Sequence, residues 1–461
     1  MSVKISLLLN MGAGVWRKGS LVLFRFIQVP LLLTFLGVDD YGRWLVLSSL
    51  PSWLTLANMG FGSVASNEMS MAVSAGNLAK ARSLYATTYF LIFGIGVVGV
   101  AITALLAPYI PWENLLGVTA ARHQELTNAV IWLVISVFVS FLGELFNGRF
   151  KAAKKAHLAM LVSSFMPWIS LLSMVIVLNY SKRFDHLALA SLCSVLLYLL
   201  SFQWLSWRAF PQLHLSIPEI KIEQFRTLFR KGIAFQAFPL GNAFLFQGSL
   251  LVIQTMLGPA AVTLFGTVRT LVRSLNQAME LINQSIWPEL SHLFGSGDKV
   301  KAARLHQIGV GLAVVVACTG VIGLAFLGPT LYNYWVGKAI ELPQHLLLLF
   351  LLPIPFNALW FTSSVVHAAC NQHEGLAWRY VFASLLSIAF CVLLCYFYGI
   401  EGAALSTLVA DIVMIPYVLH RSLQLTDDNW KGFSRGILLN AHYLLGFVRK
   451  GGAYVSFKMK N

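Results

Sequence analysis

Unbroken apolar runs constrain this chain more than any other feature. "LYATTYFLIFGIGVVGVAITALLAP" (84–108), "IWLVISVFVSFLGELF" (131–146) and "MLVSSFMPWISLLSMVIVL" (160–178) approach or exceed the roughly 20 apolar residues a helix needs to cross a bilayer. Buried helices of a soluble core are shorter. Strands of a transmembrane barrel would alternate strictly over about 10 residues, whereas these runs are apolar all round. Helices satisfy their own backbone in lipid, so the runs predict an all-α integral membrane protein. Composition agrees, with 57% hydrophobic and 11% charged residues and a mean hydropathy of +0.73.

The same length criterion predicts about twelve spans, near residues 12–36, 43–66, 83–107, 126–148, 158–179, 187–208, 232–257, 261–288, 305–328, 346–369, 379–398 and 403–422. A net charge of +15 could suggest nucleic acid, but the basic residues lie in short loops between apolar runs, where membrane topology explains them and no nucleic-acid partner is expected. With the N-terminus inside, the cytoplasmic loops carry Lys80, Arg82, Arg149, Lys151, Lys154, Lys155, Lys221, Arg226, Arg230, Lys231, Lys299, Lys301, Arg304 and Arg379. The opposite loops carry only Arg43, Arg122, Lys182, Arg183 and Lys338, so both termini are expected in the cytoplasm. The outer loops around 108–125 and 329–345 are too short for a folded domain. In "MSVKISLLLNMGAGVWRKGS", Arg17 and Lys18 stand where a cleavable signal would have small residues, so none is expected. Cys193, Cys318, Cys370, Cys391 and Cys395 lie in or beside apolar segments without a CxxC or histidine cluster, and predict free packing thiols with no metal or cofactor.

The chain repeats itself. "SAGNLAKARSLY" (74–85) matches "GSGDKVKAARLH" (295–306), pairing Gly76 with Gly297 and Leu84 with Leu305. "FLGVDDYG" (35–42) echoes "MLGPAAVTLFG" (256–266) with a small insertion, and "HLALASL" (186–192) echoes "GAALSTL" (402–408). Six spans therefore repeat as six, and an even number per copy predicts parallel repeats about an axis along the membrane normal, two bundles facing a cleft. The expected organisation is an N-terminal six-helix lobe (1–208), a cytoplasmic linker (209–231), a C-terminal six-helix lobe (232–422) and a cytoplasmic tail (423–461). The tail's "SRGILLNAHYLLGFVRKGG" is too short to span and predicts an interfacial helix.

Charged residues inside spans cost roughly 2.5 to 3.5 kcal/mol at the helix centre on the insertion scale, so they face a cavity or a partner. In the eighth span Arg269, Arg273, Asn276, Glu280, Asn283 and Trp287 step by 3 or 4, which puts them on one helix face. Two readings are open: a cationic surface for an anionic substrate, or arginines neutralised by Glu280 or a neighbouring helix that pin packing. In the first span Lys18 and Arg25 share a face with Gln28 one turn on, while Arg17, and Lys18 too, could instead snorkel. Gln236, Gln247 and Gln254 line the seventh span, as a second polar stripe or as interhelical glue. Asp411 in "LVADIVMIPYVL" is either salt-bridged across helices or titratable, and Glu144 either pairs with Arg149 or lies near the interface. Pro30, Pro51, Pro167, Pro239, Pro353, Pro355 and Pro416 fall inside predicted spans, where each permits a kink that would suit alternating access or is merely tolerated.

"FLGVDDYGRWLVLSSLPSWLTLANMGFGSVAS", "SAGNLAKARSL" and "YGIEGAALSTLVADIV" resemble the O-antigen and polysaccharide transporter branch (Wzx-type) of the multidrug/oligosaccharidyl-lipid/polysaccharide exporters, a resemblance that covers about residues 10–422. It implies a multi-pass flippase of the bacterial inner membrane with twelve helices in two lobes. Such a flippase moves an undecaprenyl-pyrophosphate-linked oligosaccharide, the O-antigen or a related surface-polysaccharide unit, from the cytoplasmic to the periplasmic leaflet. A cationic central cavity in that family carries a substrate-binding role onto Lys18, Arg25, Arg269, Arg273 and Asn276. Alternating access driven by H+ or Na+ makes Glu280 and Asp411 the ion-coupling candidates. Membrane lipids and a polysaccharide polymerase machinery are the other implied partners. Alternatives are an exporter of another lipid-linked or amphiphilic substrate, or a polytopic glycosyltransferase or polymerase. A cationic-drug exporter would typically place an acid in the first span, where this chain has lysine and arginine, and a transferase would need a catalytic outer loop.

Overall fold

The computed structural model describes residues 3–58, 60–215, 224–225, 228, 236–337, 340–370, 372 and 374–437. Most of the predicted linker, and the tail from 438 on with its predicted interfacial helix, lie outside the described residues. Every regular element among the described residues is helical.

The first crossing is α1 (Val3–Leu47), which runs on into the second beyond a sharp bend at Gly37 (φ 78, ψ 178), a conformation that penalises any side chain. Within it Pro30 removes one backbone bond, and the Thr34 hydroxyl donates to the Pro30 carbonyl at 2.8 Å. The second crossing, expected as one helix over 43–66, is broken. After α1 come α2 (Leu50–Leu54), a 3-10 turn (Thr55–Asn58), Gly60 in the left-handed region (φ 64) and then α3 (Phe61–Ser74). Asn58 and Gly60 are the residues that favour such an interruption.

The third crossing is α4 (Leu78–Leu106). A short loop with α5 (Trp112–Leu116) leads to the fourth, α6 (His123–Ser140) and α7 (Leu142–Ala152). The fifth is α8 (Ala156–Ser163) and α9 (Met166–Leu178), and Pro167 at the start of α9 explains the interruption. The sixth is α10 (Phe184–Ala209). The seventh joins α11 (Ala237–Asn242) and α12 (Ser249–Leu257) through a π turn at Ala243–Gly248. The eighth is α13 (Pro259–Gly295) and the ninth α14 (Lys299–Val336). The tenth is α15 (Gln344–Leu351) with α16 (Pro353–Ala369), broken at Pro353. The eleventh and twelfth form one helical run, α17 (Glu374–Leu425), bent at Gly399 (φ 58, ψ −137). Nine helices among the described residues are long and apolar enough to cross a membrane. The broken second crossing and α13, whose polar stripe lowers its hydropathy, do not stand among those nine, and α17 holds two crossings. The chain is a multi-pass membrane protein.

The repeat is visible in backbone geometry. Gly76 and Gly297 both have φ 75. Around them the same bonds recur: Ala75 N to Met71 O and Asn77 N to Ala72 O in one copy, Ser296 N to His292 O and Asp298 N to Leu293 O in the other. Each turn is then capped alike, Asn77 accepting from Lys80 N at 2.9 Å and Asp298 from Lys301 N at 3.1 Å. Gly37 and Gly258 also match (φ 78, ψ 178 and φ 86, ψ 180), at the same offset of 221 positions as Gly76 and Gly297. That leaves no net insertion in the echo of 35–42, contrary to the expectation from sequence.

The residues group into two compact units, Met1–Thr267 with Asn333–Glu341, and Val268–Tyr332 with Leu342–Asn461. In the first, Phe61, Met69, Leu84, Tyr85 and Leu145 form a core that also buries Leu213 and Leu228 of the linker. Small residues allow close approach: a side chain at Gly42 would stand 2.0 Å from the Pro259 carbonyl, one at Gly266 would meet Leu45, and the Thr263 hydroxyl donates to Val38 O at 2.7 Å. In the loop after α4, Glu113 binds His123 at 2.7 Å, and Arg122 binds both Glu125 (3.0 Å) and Asp40 (3.4 Å). The second unit is built on Leu290, Leu293, Ala302, Val365 and Val366, and on Val310, Leu419, Leu423 and Phe433.

Candidate functional site

The polar face of α13 survives in the structure. Arg269, Arg273, Asn276 and Glu280 are half-buried, Asn283 is buried and Trp287 exposed. Asn283 Nδ2 donates to Phe361 O at 3.4 Å, and Gln284 Nε2 to Glu280 Oε1 at 3.2 Å. Asn276 Oδ1 is buried and accepts no hydrogen bond from the described residues, which leaves it with unused acceptor capacity.

Asp411 of α17 is buried in the same unit. Two donors from α16 hold its Oδ1: Trp360 Nε1 at 2.6 Å and Asn357 Nδ2 at 2.9 Å. It makes no ion pair among the described residues, so of the two readings open from sequence the salt bridge across helices is not the one found. Tyr380 packs on Trp360 with ring centroids 5.7 Å apart and lies within electrostatic range of both Arg273 and Asp411. The fold thus gathers Arg273, Tyr380, Trp360, Asn357 and Asp411 from three helices into one neighbourhood.

In the first unit, Lys18 and Arg25 are half-buried on α1, and Arg17 is exposed. Arg25 has neither an ion pair nor a hydrogen bond among the described residues. The helix around them is fastened by Trp16 Nε1 to Ser164 Oγ (3.1 Å) and Trp168 Nε1 to Ser20 Oγ (2.7 Å), and by Phe26 against Trp335 at 5.0 Å. Gln254 of the seventh crossing is buried with its Oε1 unpartnered, and Gln247 lies in the π turn.

Glu144 does not pair with Arg149. Five positions apart on α7 they diverge by about 140° around the helix. Arg149 turns its guanidinium onto the Tyr85 ring at 4.3 Å and donates to Ser206 Oγ at 3.4 Å. Glu144 instead accepts from Ser63 Oγ at 3.0 Å and Asn58 Nδ2 at 3.5 Å, at the break in the second crossing. Sequence reading missed Trp360, Asn357 and Tyr380, and the useful signal would have been polar or amphipathic side chains on the buried face of the tenth and eleventh crossings. Among the described residues no group of three histidine, cysteine, aspartate or glutamate side chains could hold a metal ion.

A fold of broken crossings with cationic and amide faces on two of its helices invites comparison with known proteins. A solved inward-facing structure of a multidrug resistance MATE family transporter of the MOP superfamily aligns with a TM-score of 0.68 at 14% identity, over 88% of this chain and 99% of that one. The lipid II flippase MurJ, in an inward closed conformation, aligns with a TM-score of 0.66 at 15% identity, over 98% and 94%. These likenesses show the fold, the roughly twelve-helix architecture of that superfamily. In sequence, a protein of Shigella dysenteriae named "Putative O-antigen transporter" is 27% identical over 143 residues, 30% of this chain and 34% of the relative, so the match spans about a third of that relative's length. The family model described as "Polysaccharide biosynthesis protein" matches residues 18–294, about three-fifths of the chain. With more than half its length under that model, and with the fold to match, the chain belongs to the polysaccharide biosynthesis protein family.

Proposed function

We propose that this chain is a flippase of the bacterial inner membrane that moves an undecaprenyl-pyrophosphate-linked oligosaccharide, an O-antigen or related surface-polysaccharide unit, from the cytoplasmic to the periplasmic leaflet. The observation that carries the reading is the cationic face of α13, with Arg269 and Arg273 half-buried on a membrane-crossing helix beside the open acceptor of Asn276. Family membership, the sequence match to the O-antigen transporter and the fold shared with the lipid II flippase support it.

Each role follows from chemistry. A guanidinium donates paired hydrogen bonds in a plane that matches two phosphate oxygens, so Arg269 and Arg273 take the pyrophosphate. Asn276 Oδ1 accepts from a sugar hydroxyl, which satisfies the atom left open in the protein. Lys18 and Arg25 on α1 of the first unit are the further substrate-binding residues, by the same attraction of cations for an anionic lipid. Alternating access is coupled to H+ or Na+, with Asp411 and Glu280 as carriers of the coupling. Both termini lie in the cytoplasm, and the delivered unit passes to a polymerase on the far side.

Arg269→Ala and Arg273→Ala are expected to remove surface polysaccharide while protein levels in the membrane stay normal. Loss of one charged hydrogen-bonding group costs about 2 kcal/mol, roughly thirtyfold in affinity. The lysine variants retain part of the activity, because they keep the charge and lose the fork. Full polysaccharide in either alanine variant would sink the assignment.

A further inference from the structure

The break in the second crossing holds a carboxylate that the proposed function leaves unused. Glu144 projects from the fourth crossing toward the turn between the 3-10 segment and α3, and its side chain is exposed. Both of its hydrogen bonds, from Ser63 Oγ and Asn58 Nδ2, fall on Oε2, and Oε1 accepts none among the described residues. Asn58 is 8% exposed, and its Oδ1 is buried without a partner. One carboxylate oxygen and one buried amide oxygen of this cluster therefore have unused lone pairs, and the amide faces the carboxylate through its Nδ2.

We propose that Glu144, Asn58 and Ser63 form a further binding site for a monovalent cation, H+ or Na+, which acts on the transport cycle in addition to Asp411 and Glu280. The binding stands on the geometry alone; the link to transport rests on the flippase reading. Discontinuous helices are where transporters hold coupling ions, because unwound segments offer oxygens at fixed positions within the membrane. An acid inside a span is costly unless it has such work to do. The 3.5 Å separation of Asn58 Nδ2 from Oε2 is at the limit of a hydrogen bond, so the amide is weakly committed to that contact. Turned about its Cβ–Cγ bond, it presents Oδ1 to the same place, where it accepts from a protonated Glu144 or ligates a sodium ion shared with the carboxylate.

The packing builds the site rather than tolerating it. A side chain at Gly62 would stand 2.6 Å from Glu144 Cβ and 2.8 Å from Oε2, so only glycine lets the carboxylate reach Ser63. One turn further along both helices Ser66, whose Oγ is buried and unpartnered, lies against Gly148, and beyond it Lys151 Nζ donates to Asn67 at 3.3 Å. That sequence of polar groups leads from Glu144 toward the end of α3 that carries the Gly76 turn. The other charges on elements packed around α7 are engaged elsewhere: Arg149 on Tyr85, Glu68 with Lys80 at 4.0 Å, Arg82 at the Gln212 carbonyl, Glu125 with Arg122, Asp185 with Arg183, and Arg208 over Trp204. Lys151 is the cation that senses Glu144 electrostatically, and His157 is the titratable group of α8.

The test uses the full-length protein in nanodiscs. Thermal unfolding is followed against NaCl with choline chloride as the ionic-strength control, and the protonated-carboxyl infrared band is followed against pH. A saturable rise in Tm of several degrees with sodium identifies Na+; a carboxyl band that titrates without a sodium effect identifies H+. Glu144→Gln abolishes the sodium response or, for H+, removes one component of the band in the wild-type-minus-variant difference, and Ser63→Ala and Asn58→Ala weaken the response about tenfold, which keeps the comparison open if the glutamine variant does not fold. The proposal is overturned if all three variants keep the sodium and pH responses of the wild type. Failure of the flippase reading would show separately, as surface polysaccharide made normally by the arginine variants while cation binding persists.

Discussion

A guanidinium buried in a membrane protein must find its compensation within reach of its own stem. Arg149 finds it on the face of Tyr85 and at Ser206, and Tyr85 is fully buried with its hydroxyl unpartnered. Removing an unpaired buried hydroxyl relieves a desolvation cost while the ring stays in place, so Tyr85→Phe should be neutral or raise the melting temperature. Tyr85→Leu, which deletes the ring face, should lower stability by about 1–2 kcal/mol in thermal unfolding. A destabilised Tyr85→Phe would mean that the hydroxyl is bonded after all. At Asp411, Asp411→Asn should flatten the dependence of liposome transport on an imposed ion gradient, and an unchanged dependence would remove that residue from the coupling. The stripe of Arg269, Arg273, Asn276 and Glu280 was legible because helical spacing is a local property. The company kept by Asp411 was not, since Trp360 and Asn357 lie 51 and 54 positions away, and neither was Glu144's, with Ser63 at a distance of 81.

Elements carry the next layer of consequences. The two repeat-related turns put Gly76 and Gly297 at φ 75, so alanine at either position should cost about 1–2 kcal/mol through backbone strain, measurable as matched losses in thermal unfolding. In the outer loop, the hydrogen bond to Glu113 raises His123 above its ordinary 6.5, and His123 holds Glu113 below its ordinary 4.5. The raised imidazole stabilises the fold below its unfolded pKa and loses that contribution as pH rises through the folded value. The depressed carboxyl contributes above its unfolded pKa and loses it as pH falls through its folded value. Their joint contribution is therefore greatest between about 4.5 and 6.5 and declines on either side, and His123→Gln should remove that pH dependence from the melting curve. Twelve crossings could be seen in hydropathy because lipid demands length. Their interruptions were only partly visible: Pro167 and Pro353 mark two of them, while the break at Phe141 between α6 and α7 has no proline to announce it.

At the scale of the whole molecule, the distribution of lysine and arginine predicts which loops face which compartment. Reporter fusions at the Gly76 and Gly297 turns should behave as cytoplasmic, and fusions in the loop before His123 as periplasmic; the reverse pattern would invert the proposed direction of transport. The close packing near Gly42 bears on how such a molecule arose. At the offset of 221 positions that pairs Gly37 with Gly258, Val38 corresponds to Pro259, Gly42 to Thr263 and Leu45 to Gly266. Gly42 meets the carbonyl of Pro259 while Thr263 bonds the carbonyl of Val38, and Leu45 meets its own counterpart, Gly266. Reciprocity of this kind is isologous contact, the signature of a symmetric homodimer. A contact once made between two identical subunits would be retained when duplication fused them into one polypeptide. Separate polypeptides cut within the linker should then find each other again when made in the same cell.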